Sequence, residues 1–253
     1  MPASQPARAA AGESPRAYWR FYREVASAQL AEWLPREPLR ILDLSGVPGG
    51  VTRQMAGAGH DIIKIVDPGD GTMALPAGRV RVLAADRARL SYLADSCVDA
   101  VVAEARALSF SLATETTVEE AARVLRPDGR MFVCVDSLVL GMAQLAQRRC
   151  WAELSDAPSA DVLLVPSAEG TITRCFWPEQ LRELLDDAGL EVEWIRPRTV
   201  LSPPTVEQAL AADQGVLPDL VRAELSLSRD NADESVGIHL VASARRVRER
   251  RAS

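Results

Sequence analysis

"ILDLSGVPGG", residues Ile41–Gly50, is a short apolar run closed by an aspartate and followed by a loop of small residues. An apolar run of this length between loop residues reads as a strand covered on both faces, and small residues directly after it let backbone N–H groups come close to a ligand. Both traits belong to the first strand and first loop of a doubly wound α/β sheet, whose ligands sit outside the carboxyl ends of the strands.

The pattern continues on both sides. Upstream, Ser14 and Pro15 supply an N-cap and a first-turn proline for a helix running to Leu34. Downstream, "VTRQMAGAG" predicts a helix, "DIIKIVDPG" a second strand, "VRVLAAD" a third and "CVDAVVAEA" a fourth. "TVEEAARVL" predicts a helix stopped at "RPDG", and "RMFVCVDS" a fifth strand. After it come a helical "LVLGMAQLAQRRCWAEL", a loop-like "SDAPSADVLLVPSAEGT" and a helix closed by Gly189. A sixth strand, a helical stretch broken at Pro218 and a final strand in "VGIHLVASARR" complete the chain. Apolar strands alternating with helices predict an α/β, doubly wound, Rossmann-like and mostly parallel sheet with helices on both faces. One domain over residues 15–245 accommodates this, with helical insertions at about 137–176 and 203–230. An Ala-, Pro- and Ser-rich arm at 1–14 is expected to be disordered, and 246–253 forms a basic tail.

The 253 residues are 47% hydrophobic with a net charge of −6, which suits a globular core and argues against a broad phosphate-binding face. No apolar run approaches the roughly 20 residues that cross a bilayer, and the first 15 residues lack the apolar core of a secretory signal, so the expected compartment is the cytoplasm. Cys97, Cys134, Cys150 and Cys175 show neither C-x-x-C pairing nor neighbouring histidines, so no metal site or disulfide framework is expected.

The candidate ligand residues are those at strand ends. The loop offers Asp43, Ser45, Gly46, Val47 and Gly49. Asp67, 67 − 43 = 24 residues beyond Asp43 and followed by Pro68, is placed to accept both hydroxyls of a ribose. Asp86, between Ala85 and Arg87, ends the third strand and can accept from an exocyclic amine. Glu104 stands where the fourth strand opens. Acidic residues after both the second and third strands suit an uncharged or cationic adenosine ligand, and neither a G-x-G-x-x-G nor a lysine-bearing phosphate loop is present. Tyr18 and Tyr22, four apart on the first helix, share a face and are candidates for an aromatic lid.

Taken in order, "RILDLSGVPGG", "DIIKIVDPG", "VLAADRARL", "SCVDAVVAEARAL", "EEAARVLRPDGRMFVCVDS" and "FWPEQLRELLDDAGLEVE" resemble the class I S-adenosylmethionine-dependent methyltransferase family over about residues 15–245. The resemblance implies a seven-stranded sheet with an antiparallel last strand. It places Asp67 on the ribose, Asp86 near adenine and the loop under the methionine part of S-adenosylmethionine, with S-adenosylhomocysteine as product. The family's D-x-G-x-G-x-G puts Ser45, Val47 and Gly49 at its three glycine positions, so two of the three are replaced. A branched Val47 crowds a place where backbone and ligand nearly touch, whereas Gly46 and Gly50 permit a shifted turn. The altered motif is compatible with a working variant cradle and with a degenerate one.

Methyl transfer needs positioning in line with the sulfonium and exclusion of water more than it needs a base. His60 and His239, the two histidines, read as structural; Arg106 is a candidate to orient an anionic acceptor; Trp151, Phe176 and Trp177 fall where an acceptor pocket is expected; no catalytic residue is assigned. Asp136 has no clustered partner for a metal, and the Asn-Pro-Pro-Tyr and Pro-Cys signatures of base methylation are missing. The expected partner is a small-molecule acceptor rather than nucleic acid or membrane, with a homodimer through the added helices as a further option. The alternative is a non-catalytic methyltransferase-like binding or scaffolding protein.

Overall fold

β4 (Val98–Ala103) is buried along its whole length except for a half-exposed Asp99, as an apolar run without alternation requires of a central parallel strand. In the computed structural model, which describes residues 16–46, 49–68, 78–166 and 171–247, the other elements are built around it. α1 (Arg16–Trp33) leads into β1 (Arg40–Asp43); α2 (Gly50–Gly57) joins it to β2 (Asp61–Val66), followed by β3 (Val80–Ala84). Beyond β4 come α3 (Thr114–Val124), β5 (Leu125–Ser137), α4 (Leu138–Gln147) and α5 (Trp151–Asp156). β6 (Leu163–Pro166), β7 (Ile172–Phe176), α6 (Pro178–Asp187) and β8 (Leu190–Arg198) follow, then α7 (Pro203–Ala212), α8 (Leu217–Asp230) and β9 (His239–Arg246).

β3, β2, β1, β4 and β5 pair in parallel in that order, and β9 runs antiparallel to both β5 and β8. This is the expected seven-stranded sheet with its antiparallel last strand. Two more strands lie outside it. β6 and β7 form an antiparallel hairpin, and β7 joins the sheet only at Asp136↔Cys175 and Ser137↔Phe176. β4 reaches no further along β5 than Val133, so the tip of β5 has a free flank that β7 fills.

The stretch 137–176 therefore differs from the helical insertion expected of it. Its first half is α4 and α5, but its second half is the hairpin. β6 is four apolar residues, Leu163–Pro166, whose alternate burial leaves no period-two mark in the sequence, and β7 ends only where Trp177 and Pro178 start α6. The break expected at Pro218 falls earlier, over Asp213–Val216, and Pro218 stands in the first turn of α8, where its missing N–H is no loss. Gly189, at φ 78°, closes α6 as expected. Ser14, Pro15, the arm and residues 248–253 of the tail lie outside the described residues.

Alternate strand residues feed two cores. On one face Leu42, Val101, Met131 and Val133 pack under α3 and α6 through Val118, Ala121, Leu181 and Leu185. On the other Ile41, Val102, Phe132 and Cys134 pack under α1 and α2 through Leu30, Trp33 and Met55. The Trp33 indole lies 5.2 Å from the Phe132 ring and donates to Ser243 Oγ at 2.8 Å, fastening α1 across β5 and β9. Tyr18, Phe21 and Val25 of α1 meet Val206, Leu210 and Leu217 in a third cluster, so α1, α7 and α8 form a helical cap over one side of the sheet's C-terminal edge. Phe132→Ala is expected to cost about 3–5 kcal/mol in denaturant unfolding, because the hole opens under a tryptophan whose indole is tethered and cannot follow. A loss below about 1 kcal/mol would show that this core collapses freely.

Candidate functional site

The loop after β1 is held from beneath. Asp43 is fully buried, and its carboxylate accepts from the Ser45 N–H at 2.9 Å, the Thr52 hydroxyl at 2.6 Å and the Lys64 ammonium at 3.2 Å. Lys64, itself buried in β2, also donates to the Ser45 carbonyl. Ser45 Oγ accepts from the Glu104 N–H at 3.0 Å, stapling the end of β1 to the end of β4. Asp43 and Ser45 thus direct their polar atoms into the protein and shape the loop. Gly49 caps α2 at φ 82°, a left-handed conformation costly for any side chain. Val47 lies outside the described residues.

Above this base is a cleft of about 190 Å³ lined by Leu44, Asp67, Asp86, Arg87, Phe110 and Thr117 among others. Three of the residues expected from the sequence, Asp67, Asp86 and Arg87, meet here. Arg87 pairs with both oxygens of Asp67, through Nη2 to Oδ2 and through Nε to Oδ1 at 3.3 Å, and its Nη1 reaches the Leu44 carbonyl at 3.4 Å. A Cβ on Gly46 would lie 3.2 Å from Arg87 Nη1, so the bare backbone there is what admits the guanidinium. Asp86 accepts from the Ala88 N–H at 2.9 Å and stays partly exposed; Ala85 extends the β2–β3 ladder through its N–H to Val66, and Pro68 is exposed at the turn. Phe110 and Thr117 were not legible as site residues, because they come from the loop after β4 and from α3.

Glu104 and the two tyrosines lie elsewhere than expected. Glu104 points beneath α1 into a two-point pair with Arg198, at 2.5 Å to Nη1 and 3.2 Å to Nη2. Arg198 is wholly buried, with Gln29 Oε1 on its Nε at 2.6 Å and Cys134 Sγ and the Tyr22 hydroxyl within 3.4 Å of Nη1. Burial by itself would raise the Glu104 carboxyl; the guanidinium reverses this and holds it below the usual carboxylate range. Burial, then the nearby Glu104 charge, push the Cys134 thiol up to about 12, so it is no nucleophile. Tyr22 therefore belongs to this layer, and Tyr18, one turn earlier, is packed in the cluster of α1, α7 and α8. Neither closes over the cleft. Arg198, the centre of the layer, carries one signal in the sequence: a charge at the carboxyl end of a strand.

A second polar group lies beside it. Asp136, fully buried at the end of β5, receives Arg106 through Nε at 2.6 Å and Nη2 at 3.0 Å, and its N–H donates to Ser109 Oγ at 2.8 Å. His239 faces Asp136 across the β5–β9 register and Arg198 across the β8–β9 register. Its Nε2 is 3.3 Å from Asp136 Oδ1 but poorly aligned for a hydrogen bond, and burial pulls the imidazole below its usual pKa. His60 Nδ1 accepts the Leu39 N–H at 3.1 Å, a structural role. Phe176 is buried in the core, Trp177 packs beside the hairpin and Trp151 is exposed on α5. Among the described residues no cluster of three metal-binding side chains occurs.

Arg198→Met is expected to cost about 3–5 kcal/mol in denaturant unfolding, since Glu104 is left charged and dry, and the double variant with Glu104→Gln should recover most of it. The pair also sets an acid limit: with the folded-state pKa of Glu104 depressed, its contribution is complete above the unfolded carboxylate value near 4.3 and is lost as pH falls through the folded value. The Glu104→Gln/Arg198→Met chain should lose less stability than the parent between pH 6 and 3; equal losses would show that the pair does not titrate with folding.

Residues 42–133, which run from β1 into β5 and include every strand-end residue of the cleft, match the model of a methyltransferase domain. Similar folds recur among solved structures. An S-adenosylmethionine-dependent methyltransferase assigned from Listeria monocytogenes superposes with a TM-score of 0.62 at 13% identity, covering 89% of this chain and 99% of that one. The 1,6-didemethyltoxoflavin N1-methyltransferase of Burkholderia thailandensis, solved with S-adenosylhomocysteine, gives 0.55 at 17% over 95% and 94%. The [4+2]-cyclase SpnF gives 0.55 at 20% over 93% and 85%. No curated protein matches the sequence. Residues 42–133 thus match a methyltransferase domain, and the chain has the fold that S-adenosylmethionine-dependent methyltransferases share.

Proposed function

We propose that the chain binds S-adenosylmethionine and transfers its methyl group to a small-molecule acceptor. The observation that carries this reading is the convergence of Asp67 and Asp86, from the ends of β2 and β3, on one cleft beside the β1 loop. The donor set suits an adenosine: a carboxylate for two ribose hydroxyls, a second for an exocyclic amine, and Leu44, Leu108 and Phe110 as apolar walls for the base. When bound, the cofactor supplies an electrophilic methyl on sulfonium. The chain's part is to hold the acceptor in line and keep water out, and no histidine lines the cleft.

One observation favours the second reading, a binding protein without catalysis. Arg87 sits on the Asp67 carboxylate, and the cleft it leaves is smaller than the roughly 300 Å³ at which small-molecule sites begin. The ribose must displace Arg87 to bind. The two readings separate on titration calorimetry with S-adenosylmethionine and S-adenosylhomocysteine. The proposal expects micromolar binding, abolished by Asp67→Ala and tightened about two- to fivefold by Arg87→Ala, the worth of a partly exposed ion pair. Silence from parent and Arg87→Ala chains at millimolar cofactor would leave the binding-protein reading.

A further inference from the structure

We propose that Arg106 anchors the acceptor, and that the acceptor is a small aromatic carboxylate. This rests on the methyltransferase reading and narrows its substrate class. Arg106 stands at the carboxyl end of β4, where ligands of this fold are held, and its backbone is unusual there. Ala105 and Arg106 have φ of 58° and 64°, two successive left-handed residues that are not glycine. Such strain persists only where the surroundings fix it, and it concentrates at ligand sites.

The side chain that this backbone carries is gripped by Asp136. That carboxylate is wholly buried, and it grips Nε and Nη2 of Arg106 in a fork, orienting the guanidinium without consuming it. Nη1 makes no hydrogen bond to the described residues, and the side chain keeps 29% of its surface exposed. A guanidinium wanted only as a counter-ion to Asp136 could be reached from an unstrained backbone and be buried with it, as Arg198 is with Glu104. Here one edge is held and the other is presented.

The surroundings describe the ligand. The guanidinium carbon lies 4.7 Å from the centroid of the Phe110 ring, and Phe110 also lines the cleft that holds Asp67 and Asp86. Phe110 is 46% exposed and Leu112, two residues on, 78% exposed, so a planar apolar body has a surface to rest on beside the cation. The cleft is lined by residues that follow β1, β2 and β3 and is closed by Ala107, Leu108 and Phe110 after β4, and Arg106 with Asp136 stands at the ends of β4 and β5, the next strands in the sheet order. An acceptor bound by its carboxylate at Arg106 with its ring along Phe110 lies next to the cleft in which the methyl donor is held.

The probe is benzoate, with benzamide as its neutral isostere, titrated by calorimetry into the full chain with and without saturating S-adenosylhomocysteine. The expected result is saturable benzoate binding, none by benzamide, and a loss of about tenfold or more in Arg106→Gln, with Arg106→Lys between. S-adenosylhomocysteine affinity should stay within about threefold in both variants. The benzamide comparison is made on the parent chain, so it holds even if Arg106→Gln, by orphaning Asp136, unfolds. Equal binding of the two probes, or no saturable benzoate binding to the S-adenosylhomocysteine complex, overturns the anchor and leaves the methyltransferase reading intact. Benzoate binding to a chain that takes up no S-adenosylhomocysteine would keep the anion site and overturn its place in methyl transfer; silence from both ligands overturns both.

Discussion

The pair between Glu104 and Arg198 is the constraint from which the rest of the site follows. A guanidinium with no exposed surface is tolerable only if nearly every N–H is answered, because desolvating the ion costs several kcal/mol before any contact is made. The answers come from β4, β5 and α1: Glu104, Cys134, Tyr22 and Gln29. β8, which carries Arg198, is thereby tied to the other half of the sheet through side chains as well as through β9. α1 cannot slide along the sheet without breaking the layer, because its Tyr22 and Gln29 are bonded to Arg198 while its Leu30 and Trp33 pack into the core.

A similar economy governs the loop after β1. Where the motif D-x-G-x-G-x-G has its first glycine, Ser45 Oγ accepts from the Glu104 N–H, so the serine links the loop to the residue just past β4 that enters the buried pair. Beneath it Lys64 neutralises Asp43 and takes the Ser45 carbonyl. The close approach of backbone to ligand that glycines would give is replaced on this side by a fixed, internally bonded turn. Gly46 and Gly49 keep the freedom that the altered motif retains, one beside Arg87 and one at the left-handed start of α2.

What the sequence made legible follows from range. Strands of apolar residues without alternation, helices with glycine stops and aspartates at strand ends are local patterns, and the doubly wound sheet and the candidacy of Asp67 and Asp86 came from them, whereas the count of seven strands with an antiparallel last one came from the resemblance. The hairpin did not, because β6 is apolar at every position and its inner and outer faces differ only by what covers them. Nor did the polar layer: Glu104 and Arg198 are 94 residues apart, and a glutamate at a strand end reads alike whether it meets a ligand or an arginine. Tyr22 illustrates the same limit. Its spacing from Tyr18 marks a shared face, but only the fold shows that the face divides between a helical cap and a buried cation.

The two arginines at the site are used in opposite ways, and the difference is decided by their carboxylates. Asp67 is half-exposed at the cleft, so Arg87 can be displaced from it at the cost of one partly screened ion pair. Asp136 is dry, so Arg106 cannot leave it without stranding a buried charge, and anything that binds there must bind to the pair. A fold shared by a methyltransferase and a [4+2]-cyclase does not fix chemistry; the groups at the strand ends do. In this chain those groups leave Arg87 exchangeable on one side of the edge and Arg106 fixed on the other, which is the division of labour that the proposed cofactor and acceptor sites require.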